Sequence, residues 1–339
     1  MIRPRIAIDA RKTRQMSVGM KAYVDELRDR LPRVAPEYAF AFFDTGGNFG
    51  PSEQIALPWA MRRARPAVAH VLSQYAPLLT PQPFAMTIHD LIHLRYPEFF
   101  KSKVGPYYNV VVRAAAGRAA RVITDDPRTA PDLERFLGVD PSKIRIVPLG
   151  VSERFFAPVA PRQALRPYLL YVGNHRAHKD LPTLFAAWAA LGSQREIDLY
   201  ITGPDDFGAA IDRLGVAPRR VVALGDVSQT ELIALYRGAR ALVHPALCEG
   251  FGLPVLEALA AGCPVVACRD AVPEVAASSV LTFGARDVGA LQAQLEALLE
   301  NEGLRARLVN EGRDVARALS WNRCARATAD IYAEMLEER

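Results

Sequence analysis

Short apolar segments alternate with longer helix-like segments along the whole chain. Parallel strands need a crossover of a dozen or more residues, usually a helix, so this alternation is typical of α/β proteins. The series begins again near residue 168, and the sequence therefore predicts two doubly wound domains rather than one long sheet. The candidate strands are Arg5–Ile8, Ala39–Phe43, His70–Leu72, Ala85–Ile88, Arg121–Thr124, Ile144–Val147, Tyr168–Val172, Asp198–Ile201, Val221–Ala223, Ala241–His244 and Pro264–Ala267.

The boundary between the two series is rich in proline. Pro148–Pro167 contains four prolines, a composition that suits a segment linking two domains. The expected division is a domain at 1–150, a linker at 151–166, a domain at 167–318 and a closing segment at 319–339. The expected helices are Tyr23–Leu31, Val104–Ala119, Leu181–Leu191, Gln229–Tyr236, Pro254–Ala261, Leu291–Leu299 and Trp321–Met335.

Composition sets the broad class of the chain. Half of the residues are hydrophobic and 23% are charged, so a packed core is expected. No apolar segment reaches the roughly 18 residues of a membrane-spanning helix, and MIRPRIAIDARK is typical of a first strand rather than a signal peptide. We therefore expect a cytoplasmic protein whose four cysteines are reduced and mostly buried.

Positive charge is concentrated in the first half of the chain. Residues 1–150 contain 22 Lys and Arg against 14 Asp and Glu, whereas residues 151–339 contain 20 against 23. A basic half suits an anionic partner, either a phosphate-bearing acceptor or the acidic inner face of a membrane. Solvated arginines are the alternative reading. Nucleic acid is not expected, because no recognised binding motif accompanies the charge.

The segment His244–Ala261, HPALCEGFGLPVLEALAA, is the richest in chemistry. A candidate strand leads through a glycine-bearing loop into a candidate helix, whose first N–H groups are available to an anion. Glycines let a ligand approach the backbone, so a nucleotide diphosphate fits this arrangement. Glu249 and Glu257 would lie about 12 Å apart along a helix, too far for the paired carboxylates of a glycosidase. Hydroxyl binding is therefore the favoured role for both.

The segment Glu249–Glu257, EGFGLPVLE, resembles the E-x7-E motif of the retaining glycosyltransferase family 4. Members of this family have the GT-B fold, in which two Rossmann-like domains face each other across a cleft. The resemblance extends over nearly the full chain, as an ordered set of motifs. These are IAIDAR near the N-terminus, Thr87–Leu91, Pro148–Val151, Tyr171–Asn174 with Lys179, Ile201–Gly203, Leu224–Val227, Val272–Val275 and Ser320–Trp321.

This resemblance implies a role for each domain and for several residues. The second domain would bind the nucleotide sugar, the first would bind the acceptor, and the closing helix would pack back on the first. Glu257 would bind the donor ribose, Glu249 the hydroxyls of the transferred sugar, and Lys179 the diphosphate. The other donor-binding positions carried over are Gly19, Gly173, Asn174, Arg176, Gly203, Val227, Gly250, Phe251, Gly252 and Leu253.

His89 resembles the histidine that approaches the reactive sugar from the acceptor side and contacts the donor sugar. The implied catalytic residues are therefore His89, Glu249 and Lys179. Two regions depart from the family pattern. Arg176 stands in an unusual register for the arginine that accompanies the lysine, and Val18–Tyr23 replaces a Gly-x-Gly-Arg-Tyr loop, leaving Gly19 to meet the donor phosphates.

The implied reaction needs neither a metal nor a cofactor. The chain lacks an Asp-x-Asp triplet, and the relatives that it resembles transfer sugar without a metal ion. A GDP- or UDP-linked sugar, with mannose favoured by the resemblance of Thr87–Pro97 to mannosyl-transferring relatives, would pass with retention to a glycan or lipid-linked acceptor. Cell-surface polysaccharide or glycolipid synthesis is the expected setting. A GT-B sugar-nucleotide epimerase and a non-catalytic nucleotide-sugar binder are the alternatives.

Overall fold

The computed structural model describes residues 3–14, 16–44, 50, 52–99, 104–192, 195–203 and 220–338. The chain forms two compact units, one from Met1–Gly150 with Leu319–Arg339 and the other from Val151–Ala318. Each unit contains a six-stranded parallel sheet with flanking helices. The prediction of two doubly wound α/β domains is confirmed.

The strands occur in the predicted order. The first sheet has the strand order β2-β1-β3-β4-β5-β6 and the second has β12-β11-β10-β7-β8-β9. The strands are β1 (Arg5–Asp9), β2 (Ala39–Phe43), β3 (Val68–Val71), β4 (Phe84–Thr87), β5 (Arg121–Thr124), β6 (Ile144–Ile146), β7 (Tyr168–Tyr171), β8 (Asp198–Thr202), β9 (Val221–Gly225), β10 (Ala241–His244), β11 (Val265–Cys268) and β12 (Leu281–Phe283).

Helices connect most of the strands, and three of the described helices follow the last strand. None of the helices in the described residues is both long and apolar enough to cross a membrane. The α-helices are α1 (Val18–Val34), α2 (Leu57–Arg63), α3 (Ile92–Arg95), α4 (Val104–Tyr107), α5 (Arg113–Arg118), α6 (Ala130–Asp132), α7 (Leu181–Gly192), α8 (Gln229–Gly238), α9 (Leu253–Ala261), α10 (Val288–Glu300), α11 (Glu302–Ala318) and α12 (Trp321–Glu337).

Several predictions of helices and strands were wrong in detail. Helix α1 begins at Val18 rather than Tyr23, because the Ser17 hydroxyl caps it by accepting the Met20 N–H at 3.2 Å. The predicted helix Val104–Ala119 is helical, but it contains a π-helical turn at Tyr108–Val112. The elements that were not predicted at all are α2, α3, α6, α11 and β12.

Helix α12 completes the first unit. It packs along α1, and its buried face carries aromatic and aliphatic side chains against the sheet. The Tyr332 hydroxyl lies 2.7 Å from Nδ1 of His70 on β3, and both side chains are fully buried. Because buried polar groups are stable only when hydrogen-bonded, this contact fixes the position of the helix on the sheet.

The second unit is built around helix α7 and the central strands of its sheet. Leu184, Phe185 and Trp188 of α7 are buried in one cluster with Leu169 and Tyr171 of β7. The Trp188 indole N–H donates to the Ile197 carbonyl at 3.1 Å, which satisfies the one polar atom of the ring.

The segment expected to link the domains, 151–166, lies on the second unit. Its 3₁₀ turn at Glu153–Phe156 packs on α9, and the ring of Phe155 lies 6.1 Å from that of Tyr236. All four cysteines are free and buried, as predicted.

Candidate functional site

The direction of winding reverses between β7 and β10 at the centre of the second sheet. Strands β8 and β9 extend from β7 to one side, and β11 and β12 extend from β10 to the other. In open parallel sheets, ligands bind outside the carboxyl ends of the strands at such a reversal. The loops that follow β7 and β10 both begin at this position.

Lys179 and Glu249 meet at this point, although 70 residues separate them in sequence. Lys179 ends the 3₁₀ turn Ala177–Lys179 in the loop after β7, and Glu249 lies in the loop after β10. Lys179 Nζ forms an ion pair with Glu249 Oε1, and the two side chains are only 11% and 14% exposed. The Leu247 N–H also donates to the His178 carbonyl at 2.8 Å, so a backbone contact joins the same two loops.

His244 is a second partner of Glu249 and was not predicted from the sequence. It is the last residue of β10 and fully buried, and its Nε2 lies 2.9 Å from Glu249 Oε1. Burial alone would raise the pKa of Glu249, but Lys179 and His244 together hold that pKa well below its usual value. Glu249 is therefore an ionised hydrogen-bond acceptor at neutral pH.

Gly252 shapes the start of helix α9. Its φ of 81° lies in the left-handed region, and a Cβ at this position would lie 2.8 Å from the Ala271 carbonyl oxygen. Only glycine fits both constraints. The predicted positions Phe251 and Leu253 flank it, the first buried and the second partly exposed. The first N–H groups of α9 have no partner within the helix and carry the positive end of its dipole.

Glu257 lies on α9, about one turn after the first residue of the helix. The hydroxyl of Tyr236, on α8, lies 3.4 Å from Glu257 Oε2. Burial raises the pKa of Glu257 to about 7, and the hydrogen bond from Tyr236 opposes the shift only in part. This carboxyl group therefore changes charge near neutral pH, whereas Glu249 stays charged.

The next group of predicted residues lies just after the ends of β7 and β8. The Gly173 N–H donates to Thr202 Oγ1 at 3.3 Å, and a Cβ on Gly203 would lie 2.4 Å from the Gly173 carbonyl oxygen. Glycine is thus required at position 203 because the backbone of Gly173 lies so close to it, and not because a ligand does. Asn174 and Arg176 are exposed, and the Arg176 N–H donates to Asn174 Oδ1 at 3.3 Å.

Two further residues that were predicted to bind the donor, Gly250 and Val227, lie in the loops after β10 and β9. Gly250 is partly exposed and follows Glu249 directly in the loop before α9. Val227 follows β9, the edge strand, which is separated from β7 by β8. Val227 is thus the predicted residue of this unit whose strand is farthest from the winding reversal.

The first unit contains His89 and Gly19. Nδ1 of His89, which follows β4, lies 2.6 Å from Asp125 Oδ2, and Asp125 follows the neighbouring strand β5. The Tyr23 ring meets the imidazole edge-on at 4.7 Å. Gly19, predicted in a loop, lies instead in the first turn of α1 and is partly exposed. Asp125 is not among the site residues predicted from the sequence.

Comparison with known proteins finds two family profiles in consecutive parts of the chain. The profile described as Glycosyltransferase Family 4 matches residues 19–155, and Glycosyl transferases group 1 matches residues 166–301. The O-antigen chain mannosyltransferase B of Escherichia coli is 25% identical over 291 residues, which cover 81% of this chain and 76% of the relative.

A second relative is also a glycosyltransferase, and a solved structure has the same fold. The MMP alpha-(1->4)-mannosyltransferase of Mycolicibacterium hassiacum is 30% identical over 236 residues, 66% of this chain and 56% of the relative, so the match spans little more than half of that protein. The structure of Anabaena Alr3699/HepE in complex with UDP and glucose superposes with a TM-score of 0.75 at 14% identity, covering 98% of this chain and 100% of the other. At that identity the superposition establishes the fold alone.

Proposed function

The chain belongs to glycosyltransferase family 4 and has the GT-B fold, and from this premise we propose that it transfers a sugar from a nucleoside-diphosphate donor to a glycan or lipid-linked acceptor. The observation that carries the proposal is the Lys179–Glu249 ion pair, which lies where the second sheet reverses its winding. A cation and an ionised carboxylate there suit a ligand that has both phosphates and sugar hydroxyls.

Each charged group of this site has a distinct task in the proposed reaction. As the bond between sugar and diphosphate breaks, negative charge grows on the departing phosphate, and Lys179 and the start of α9 offset it. Glu249 accepts hydrogen bonds from the hydroxyls of the transferred sugar, and Glu257 accepts them from the ribose. No divalent ion takes part in this proposal, which is supported by the absence of an Asp-x-Asp triplet from the sequence.

The proposed stereochemical course is retention. The acceptor hydroxyl attacks the anomeric carbon from the face that the diphosphate leaves, and a departing phosphate oxygen takes the hydroxyl proton. The new glycosidic bond replaces the bond to phosphate, and the nucleoside diphosphate is released with the proton. His89 would contact the transferred sugar, and the reaction would take place on the cytoplasmic side of the membrane.

A donor panel tests the function directly. The names of the two curated relatives favour mannose, hence GDP-mannose, while the UDP-bound structure keeps UDP-glucose in the panel. The donor that binds the folded protein should raise its melting temperature. It should then release nucleoside diphosphate in the presence of a glycan or lipid-linked acceptor. Sugar isomerisation without an acceptor would instead indicate an epimerase, and binding without turnover would indicate a non-catalytic protein.

We further propose that the first unit docks on an anionic membrane surface. Ile55, Trp59, Leu79 and Val110 are between 48% and 65% exposed. Two of them, Ile55 and Leu79, line an apolar groove together with Tyr107 and Val111. Large exposed apolar patches mark binding sites.

The charge around this apolar surface is complementary to acidic lipids. Residues 54–89 and 99–124 contain no Asp or Glu. Arg62, Arg63 and Arg65 are exposed, and the guanidinium of Arg63 lies 4.7 Å from the centre of the Trp59 ring. A tryptophan beside arginines suits the interface between lipid headgroups and acyl chains.

Vesicle binding tests this docking surface. Trp59 is exposed whereas Trp188 and Trp321 are buried, so its fluorescence should shift to the blue when vesicles containing phosphatidylglycerol are added. The double change Arg62→Glu with Arg63→Glu should reduce the bound fraction roughly tenfold or more, because each cation contributes about 1 kcal/mol near an acidic surface. Ile55→Asp should also reduce it, whereas Leu165→Asp, at an exposed leucine of the other unit, should not. Equal binding to neutral phosphatidylcholine vesicles would refute the proposal.

A further inference from the structure

Asp125 and His89 form a buried pair in the first unit. Nδ1 of His89 lies 2.6 Å from Asp125 Oδ2, and the two residues are only 5% and 1% exposed. The carboxylate accepts the Nδ1 proton, which fixes both the tautomer and the plane of the imidazole ring. The Tyr23 ring packs edge-on against the imidazole, with 4.7 Å between the ring centres, and further restricts rotation of the His89 side chain.

The second ring nitrogen of His89 is left for another partner. Nε2 is buried and forms no hydrogen bond of ordinary geometry to any residue that the structure describes, although the Leu72 carbonyl lies close enough to the ring to favour its protonated form. Buried polar nitrogens are nearly always hydrogen-bonded, and His89 follows the carboxyl end of a parallel strand, where such sheets bind ligands, so this atom indicates a ligand contact. A hydrogen-bond acceptor on a bound ligand would satisfy it.

The groups that surround His89 favour its protonated form. Burial lowers the pKa of His89, but Asp125, Asp90 and the Leu72 carbonyl oppose burial and leave that pKa above its usual value. His70 on β3 is the cationic neighbour that could oppose them, but burial lowers its own pKa to about 3, so it is neutral. Tyr23 on α1 is uncharged, because burial raises its pKa well above the usual value.

We propose that Asp125 is a positioning residue for sugar transfer, which keeps His89 oriented and protonated so that Nε2–H donates to an oxygen of the bound sugar. This inference rests on the proposed function and adds to it a residue outside the family motifs identified in the sequence. Asp125 does not touch the substrate. It acts through the imidazole ring.

A pH profile of Asp125→Asn tests the inference. Asparagine can still accept the Nδ1 proton, so the geometry is kept while the charge is removed. A carboxylate this close raises a histidine pKa by about one unit or more. The alkaline fall of kcat/KM in the wild-type enzyme should therefore move down by about one pH unit, giving roughly tenfold lower kcat/KM at pH 8 and little change at pH 6.

Asp126→Asn is the matched control. Asp126 is the next residue, is also 1% exposed, and pairs with Arg128 through Nε at 2.7 Å rather than with His89. Its replacement should lower the melting temperature but leave the alkaline fall where it is. Nuclear magnetic resonance titration of the His89 ring, assigned with His89→Gln, measures the same shift without any turnover.

The results separate this inference from the function on which it rests. If the wild-type protein transfers sugar and His89→Gln impairs transfer, but Asp125→Asn leaves the alkaline fall and the His89 titration unmoved, the role of Asp125 is refuted. If His89→Gln has no effect on transfer, the inference also fails. If no donor in the panel is turned over, the proposed function itself fails.

Discussion

Replacing Lys179 with methionine is expected to lower kcat/KM for sugar transfer by about 10³-fold. The ammonium group is the buried cation at the winding reversal, and it would face the phosphate on which charge accumulates. Methionine keeps the length and most of the apolar stem, so the loss reports the missing charge rather than a cavity. Steady-state kinetics with the preferred donor and a saturating acceptor measures it.

The control for this change is another lysine in an ion pair. Lys12 pairs with Asp25 at 2.7 Å, but both side chains are about half exposed, and such surface pairs contribute little. Lys12→Met should change kcat/KM less than twofold. A loss below tenfold for Lys179→Met, in a protein that melts near the wild-type temperature, would show that this lysine does not face the leaving group.

A double-mutant cycle separates the two tasks of the ion pair. Glu249→Gln removes the acceptor charge, leaves Lys179 in place, and should itself reduce transfer by more than tenfold. Residues that act on the same bound donor are expected to be non-additive, so the double variant should lose less than the product of the two single losses. Full additivity would indicate that the two residues serve independent functions.

Donor binding is expected to weaken as the pH falls below about 7, by up to tenfold per pH unit, until it levels off at the affinity of the protonated form, about 10- to 100-fold weaker. Glu257 accepts ribose hydroxyls well only when it is ionised, and burial raises its pKa to about 7. A carboxyl group with a raised pKa is increasingly protonated as the pH falls, so affinity is lost on the acid side and is full on the alkaline side. Calorimetric titration of the intact nucleotide sugar, without an acceptor, measures this slope.

Glu257→Gln and Tyr236→Phe are the informative variants for this prediction. Glutamine does not titrate, so its affinity should be flat with pH and about 10- to 100-fold weaker than wild type at pH 8. Removing the Tyr236 hydroxyl deletes a hydrogen bond that lowers the pKa, so the midpoint should move upward. An affinity that is constant across the pH range in the wild-type protein would place the ribose elsewhere.

Much of the fold could be predicted from the sequence because its strands are short, apolar and bounded by turns. Strand β10, ALVH, was predicted with its observed bounds, since all four residues are buried and a proline follows. Strand β12 was missed because it has only three residues, two of them partly exposed. Helix α11 was missed because it is mostly polar and buries only a narrow stripe that includes Leu308 and Ala316.

The candidate site could be predicted in its residues but not in all their partners. Glu249 and Lys179 could be predicted because each lies in a short, continuous sequence motif. The order of the strands in the second sheet then brings the two residues together. Asp125 lies 36 residues from His89, and the pairing depends on β4 and β5 being neighbours. His244 did carry a signal, as a histidine that ends a strand five residues before Glu249, but a strand-end histidine is frequently structural.

The position of α12 has a consequence for how this protein is made. The second unit is one continuous stretch of chain and can complete its core as soon as Ala318 has emerged from the ribosome. The first unit, although synthesised earlier, lacks Trp321 and Tyr332 until the last helix appears. We therefore expect the second unit to fold no later than the first, whose incomplete core exposes apolar surface that a chaperone would need to cover.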